Sequence, residues 1–287
     1  MSPHKKSKFA KAAYMVGSNG GPTPQNVKRV NAFLRDMGVT IEPTMSYEDV
    51  TTLYERDTNT YHIAHKGTQL ESSTGSADAL TDIGFAAFGY NSHHVTDRTK
   101  KTEAILDMID AGDPSAKVTL QGHSLGGHTA AYAMANSDQV LKRVSSLHTF
   151  NTAAHPSFSV GLHVPFHKHQ ILHEKTTHHR LNADVVSKGH LVNLPFGKSI
   201  TYKHRTDKTF LGRALDAHHI DHFFNKELVE KGGSETPTIS PPTSMEGRVK
   251  QVVPVRASMT FGQGAKDVNP YAVCKRNPTL PECKAFL

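Results

Sequence analysis

Val118-Thr119-Leu120-Gln121-Gly122-His123-Ser124-Leu125-Gly126-Gly127-His128 decides how this chain folds. Val118 and Leu120 are the apolar residues of a short buried strand. A tight turn comes next. Ala130, Ala131, Ala133, Met134 and Ala135, all good helix formers, then predict a helix. Ser124 stands between Gly122 and Gly126, the G-x-S-x-G pattern of a nucleophile elbow. The spacing has a steric reason. A serine presented on a strained strand-to-helix turn brings neighbouring backbone too close for a Cβ two positions before and two positions after it. The helix then directs its first N–H groups at the serine, which favours an oxyanion there. Ser124 is the candidate nucleophile.

Strand and helix signals alternate on both sides of this stretch, which predicts an α/β fold. Thr23-Pro24 reads as N-cap and first residue of a helix carrying Val27, Val30, Phe33 and Leu34, with Gly38 ending it. Val50 to Lys66 reads as a hairpin turning at Asp57-Thr58-Asn59. Ile105, Met108 and Ile109 mark one face of a helix that Gly112-Asp113-Pro114 stops. Downstream, Val144 to Phe150 predicts another buried strand. Asn151-Thr152-Ala153 at its tip should face the site, because ligands of such sheets sit beyond the strands' C-terminal ends. Residues 154–176 read as irregular and rich in histidine, His179 to Val186 as a short strand with Asp184 at its tip, and 190–212 as a hairpin region.

Gly122-His123-Ser124-Leu125-Gly126-Gly127 resembles the elbow of the class 3 (fungal-type) lipases, a branch of the α/β-hydrolases, and the similarity runs from about Tyr54 to Phe224. The resemblance implies an α/β-hydrolase fold, a mostly parallel central sheet with helices on both faces. It also implies a serine esterase or lipase that hydrolyses carboxylic esters of lipids, acylglycerol or phospholipid, through an acyl-enzyme and without a cofactor. The family's chain order is serine, acid, histidine. Asp184 lies 60 residues past Ser124 in an Asn-x-Asp-Val-Val run similar to the family's acid motif. Ala217-His218-His219-Ile220-Asp221-His222-Phe223-Phe224 resembles the closing motif, where the catalytic histidine precedes an apolar residue and an aromatic slot. That register implies His219 as general base rather than His218 or His222. Gly67-Thr68 matches the oxyanion motif, so Thr68 and Leu125 are expected to give the oxyanion-hole N–H groups, while His65-Lys66 departs from the family's aromatic-Arg pair. Residues 69–98 occupy the place of the family's lid. Asp82 is similar to an acid that the family carries there after a Trp, a residue this chain lacks, and Phe85 and Phe88 read first as core packing.

The chain divides into a polar N-terminal tail (1–22), a hydrolase-like domain (23–230) and a Pro/Ser/Thr-rich linker with a C-terminal tail (231–287). The net charge of +7 allows an anionic partner, peripheral contact with a lipid surface among them. No nucleic-acid-binding signature accompanies it, so nucleic acid is not expected. The 20 histidines lack the spacing and the Cys or carboxylate company of a metal site, and no metal is expected. Cys274 and Cys283 bridge in an oxidising setting or stay free thiols in a reducing one. The start of the chain has no secretory apolar run and no stretch has the about 18 apolar residues of a membrane span. A cytoplasmic or assembly-associated protein is thus expected over a secreted one. The competing reading is a non-catalytic structural or binding protein of the same fold, docked to an anionic assembly by its basic tails.

Every motif residue precedes Pro237, in a chain whose composition then turns to linker chemistry. Deleting residues 237–287 should therefore leave reaction with a fluorophosphonate serine trap intact. Loss of labelling in a soluble, folded truncation would mean that the tail completes the site.

Overall fold

The computed structural model describes residues 2–16, 21–67, 92–152, 166–184, 187, 196–203, 217–225 and 233–236. Eight strands form one sheet in sequence order. They are β1 (Val39–Ile41), β2 (Val50–Glu55), β3 (Thr60–His65), β4 (Lys117–His123), β5 (Ser146–Phe150), β6 (Thr176–Leu181), β7 (Lys198–Tyr202) and β8 (Ser234–Thr236). β3 to β7 run parallel, and β1, β2 and β8 add antiparallel edges. The helices are α1 (Pro3–Met15), α2 (Pro24–Leu34), α3 (Ser92–Gly112), α4 (Leu125–Asn136), α5 (Asp138–Arg143) and α6 (Phe166–Lys175). This is the expected α/β-hydrolase architecture, a mostly parallel sheet with helices on both faces.

The strand period of two sorts side chains between the faces. Val50, Ile63, Val118, Leu120 and Leu147 point to one side, where α3, α4, α5 and α6 cover them with Ile105, Leu106, Ala131, Met134, Val140 and Leu172. Burial of each such aliphatic side chain contributes about 1.5–3 kcal/mol. On the other side α1 and α2 pack Phe9, Ala12, Val16, Val30 and Leu34 against Val39, Ile41 and Leu53. The local signals there hold as well. Thr23 Oγ1 accepts the Asn26 N–H at 3.3 Å, and Gly38 closes the segment in the left-handed region at φ 66°.

Several sequence expectations change. The segment expected as a polar tail contains α1, whose Phe9, Ala10, Ala12 and Ala13 are fully buried, as is Val16 just beyond its end. Their spacing is a helical stripe, hidden in the sequence by the four lysines interspersed with it, Lys5, Lys6, Lys8 and Lys11. Within the stretch expected as irregular, residues 166–175 form α6, and the strand after it begins at Thr176 rather than His179. The domain does not end at 230, because β8 adds Ser234 to Thr236 to the edge of β7. β7 itself is a parallel partner of β6, not one arm of a local hairpin. The remainder of the C-terminal tail, Cys274, Cys283, Asp82, Phe85 and Phe88 lie outside the described residues.

Much of the histidine content is buried in this fold. On the α1 face Lys6 Nζ meets His148 Nε2 at 2.5 Å, His148 Nδ1 meets His179 Nε2 at 3.1 Å, and His179 Nδ1 meets Tyr202 Oη at 2.9 Å. Lysine can only donate, so the chain of bonds runs from Lys6 through two neutral imidazoles to the tyrosine oxygen. On the opposite face His178 joins Thr149 Oγ1 (2.7 Å) and the Phe196 carbonyl (3.1 Å), and His65 joins Thr129 and Thr102. Burial lowers all four rings: His178 to about 4, His179 and His65 to about 3, and His148 well below 6.5. Lys6 adds to the lowering of His148 and His179, and Arg98 to that of His65.

These lowered values set the sign of the pH effect. Below pH 6.5 the unfolded chain takes up protons that the folded chain refuses, so stability is full above that pH and is lost as pH falls towards 4 and 3. At pH 5 each such histidine costs about 2 kcal/mol, so a few of them approach the whole stability of a domain, about 5–15 kcal/mol. The urea midpoint should fall steeply between pH 7 and pH 5. An unchanged midpoint over that range would contradict the neutral, buried state of these rings.

Candidate active site

β4 runs straight into the turn at Ser124, whose φ of 55° and ψ of −125° lie outside the regions that side chains favour. The glycines explain how the turn closes. A Cβ on Gly122 would collide with the backbone of Gly126 and Gly127, and one on Gly126 with the backbone of His65 and Lys66. One on Gly127 would come within 2.5 Å of Thr152 Oγ1. The Ser124 N–H donates to the Phe150 carbonyl at 3.0 Å and ties the turn to the end of β5. Leu125 is the first residue of α4, and its N–H is one of the helix's N-terminal donors, with no carbonyl one turn back inside the helix. Gly122, Gly126, Ser124 and Leu125 thus sit as the sequence pattern requires. Thr68 lies outside the described residues; its neighbour Gly67 is described.

The departure at His65-Lys66 has a local explanation. His65 Nδ1 and Nε2 meet Thr129 and Thr102 at 3.0 and 2.9 Å, so this ring is a buried strut between β3, α3 and α4. An arginine still reaches the strand end, from another element: Arg98 of α3 donates to the Lys66 carbonyl at 2.6 Å and to Asp49 at 3.0 Å. Burial alone would raise the Asp49 carboxyl. Lys101 and Arg98 beside it hold it below its usual range.

Asp184 is fully buried three residues beyond β6. Its Oδ2 accepts the Ser187 N–H at 3.2 Å, and its Oδ1 stands 3.1 Å from His218 Nδ1. His218 Nε2 stands 2.8 Å from Ser124 Oγ. A carboxylate only accepts, so the proton between Asp184 and His218 sits on Nδ1, and Nε2 is left to accept from the serine.

The histidine in contact with Ser124 is therefore His218, and the expectation of His219 is corrected by one residue. The physical reason is the packing of Ile220 and Phe223. Both insert into the cluster of Phe150, Leu181, Tyr202 and Ala217, and Ile220–Phe224 is a 3-10 helix rather than the start of an α-helix. With Ile220 turned inward, the extended cap residue His219 (ψ 132°) is exposed and His218 faces the elbow.

Asn151 stands at the tip of β5, where the sequence puts a site-facing residue but gives it no role. It adopts φ 42°. Its Nδ2 donates to the Ala217 carbonyl at 2.7 Å while its Oδ1 accepts the Leu181 N–H at 2.9 Å, which joins β5, β6 and the histidine segment. Only its strand-tip position is visible in the sequence. None of these residues lines the groove between α2 and the β1–β2 pair, whose walls include Asn31, Tyr54 and Arg56. No group of three or more His, Cys, Asp or Glu among the described residues could hold a metal ion.

No family model matches the chain, and no curated protein matches it. Several solved lipase structures are similar to it. Lip2 lipase from Yarrowia lipolytica has 14% identity, covers 69% of this chain and 77% of that chain, and gives a TM-score of 0.42. Lipase II from Rhizopus niveus has 15% identity with 64% and 73% covered and a TM-score of 0.42. The mono- and diacylglycerol lipase from Aspergillus oryzae has 16% identity with 72% and 81% covered and a TM-score of 0.42. The functional reading rests on the contacts around Ser124.

Proposed function

We propose that this protein is a serine hydrolase that cleaves carboxylic esters through an acyl-enzyme. One observation carries the reading: on a turn of positive φ, Ser124 Oγ lies 2.8 Å from an imidazole nitrogen whose partner nitrogen is held by a fully buried carboxylate. A hydroxyl is a weak nucleophile until a base takes its proton as it attacks. His218 Nε2 is in place to do so. Asp184 keeps the other proton on Nδ1 and stabilises the imidazolium that forms. Ser124 Oγ bonds to the ester carbonyl carbon, the carbonyl oxygen becomes an oxyanion, and the proton on Nε2 passes to the leaving alcohol. Water then attacks the acyl carbonyl carbon as His218 Nε2 takes one of its protons; the bond to Ser124 Oγ breaks, that proton passes to Oγ, and the acid leaves with the free serine restored.

The Leu125 N–H at the start of α4 is suited to receive the oxyanion, and Thr68 would supply the second donor by the sequence resemblance. Lipid esters are the proposed substrate class, supported by the likeness of Gly122–Gly127 to the class 3 elbow. The chemistry needs no cofactor. No helix among the described residues is long and apolar enough to cross a membrane, so this reading has the substrate reached from the aqueous side.

Three single substitutions on p-nitrophenyl butyrate test the assignment. Ser124→Ala and His218→Gln should each lower kcat by about 10⁴-fold or more while leaving circular dichroism unchanged. His219→Gln should stay near wild type. No turnover by the folded wild type would favour a binding role for the fold. Large loss in His219→Gln with activity kept in His218→Gln would restore the other register.

A further inference from the structure

His218 lies just ahead of the 3-10 helix Ile220–Phe224, and its ring must hold two hydrogen bonds in line. Its peptide is gripped by side chains. Asn151 Nδ2 holds the Ala217 carbonyl, and His123 Nε2 stands 2.7 Å from the His218 carbonyl. A carbonyl only accepts, so His123 Nε2 carries the proton. In a neutral ring Nδ1 is then an acceptor. Tyr14 Oη, 2.8 Å from that Nδ1, must donate to it. Gly67 packs directly against this hydroxyl, so that a Cβ at Gly67 would run into the tyrosine oxygen. The His123 and His218 rings lie 5.0 Å apart. His123 stays neutral because burial, and then the neighbouring His218, push its protonation well below pH 6.5. Burial likewise pushes the Tyr14 hydroxyl up, so it keeps the proton it donates.

We propose that Tyr14 and His123 are positioning residues for His218: the N-terminal helix α1 fixes the tautomer of His123, and His123 fixes the backbone from which His218 reaches Ser124. The inference rests on the hydrolase reading above. Neither residue touches the reacting atoms. Each acts by where it puts the base, and displacement of a catalytic group by about 1 Å can cost on the order of 10² in rate.

The direction of the bonds makes the proposal testable. Tyr14→Phe keeps the ring and removes the only hydroxyl. It should lower kcat on p-nitrophenyl butyrate about tenfold with KM unchanged, a loss in the reaction step alone. His123→Phe should lose at least as much. The double variant should lose no more than His123→Phe, because Tyr14 acts only through His123. His123→Gln, which retains an N–H donor, should recover part of the loss. An independent readout is the His218 Nδ1 proton facing Asp184, followed by proton NMR. It should exchange with solvent faster in folded Tyr14→Phe than in wild type. A wild-type kcat and unchanged proton exchange in Tyr14→Phe, or losses that multiply in the double variant, would overturn the proposal. A wild type that turns over no ester but shows the expected change in exchange would sink the hydrolase reading and leave the positioning intact. If His123→Phe does not fold, Tyr14→Phe and His123→Gln decide the matter.

Discussion

The first turn of α4 passes so close to the ends of β3, β4 and β5 that no side chain fits between them. Everything around the candidate site depends on that approach. It demands the absence of a Cβ at Gly122, Gly126 and Gly127, and it forces Ser124 to φ 55°. A residue held in such a conformation costs about 1–3 kcal/mol. The surroundings offset it. The Ser124 N–H finds the Phe150 carbonyl, and Ala130, Ala131, Ala133 and Met134 are fully buried between the sheet and its covering helices. Small residues on α4 let it lie close, and lying close is what presents the hydroxyl and the N–H of Leu125 at one spot.

The opposite face of the sheet supplies the rest of the geometry. α1 closes it with Phe9 and Ala12, and Val16 just past its end joins them. The same helix carries Lys6 into a line of neutral imidazoles and Tyr14 onto the elbow histidine. Packing and positioning are thus one structure. Acid that charges the buried rings weakens the seat of α1, and with it the bonds that run from Tyr14 to the backbone of His218. The sheet face that a purely aliphatic core would fill is instead a network whose hydrogen bonds need a fixed protonation state.

The parts of this arrangement written in short-range patterns are legible in the sequence. The elbow, the Thr23-Pro24 helix start, the turn at Asp57 to Asn59 and the acid Asp184 each depend on neighbours within a few positions. The register of the histidine that meets Ser124 does not. Three histidines crowd positions 218 to 222, and which of them meets Ser124 is decided by Ile220 and Phe223 finding the core. α1 is obscured because its lysines dominate its composition, although Phe9, Ala12, Ala13 and Val16 already have helical spacing. Arg98 shows the same limit, reaching the strand end beside Lys66 from a helix 32 residues further on. Contacts made across the fold leave no local trace in the chain.

The central claim is that Ser124 is a nucleophile activated by His218 and Asp184. The most direct measurement is incubation of the full-length protein with a fluorophosphonate, then peptide mapping of the adduct. A single adduct on Ser124, formed quickly by wild type and not by denatured protein, is the predicted result. No adduct in folded protein, or one on another residue, would contradict it.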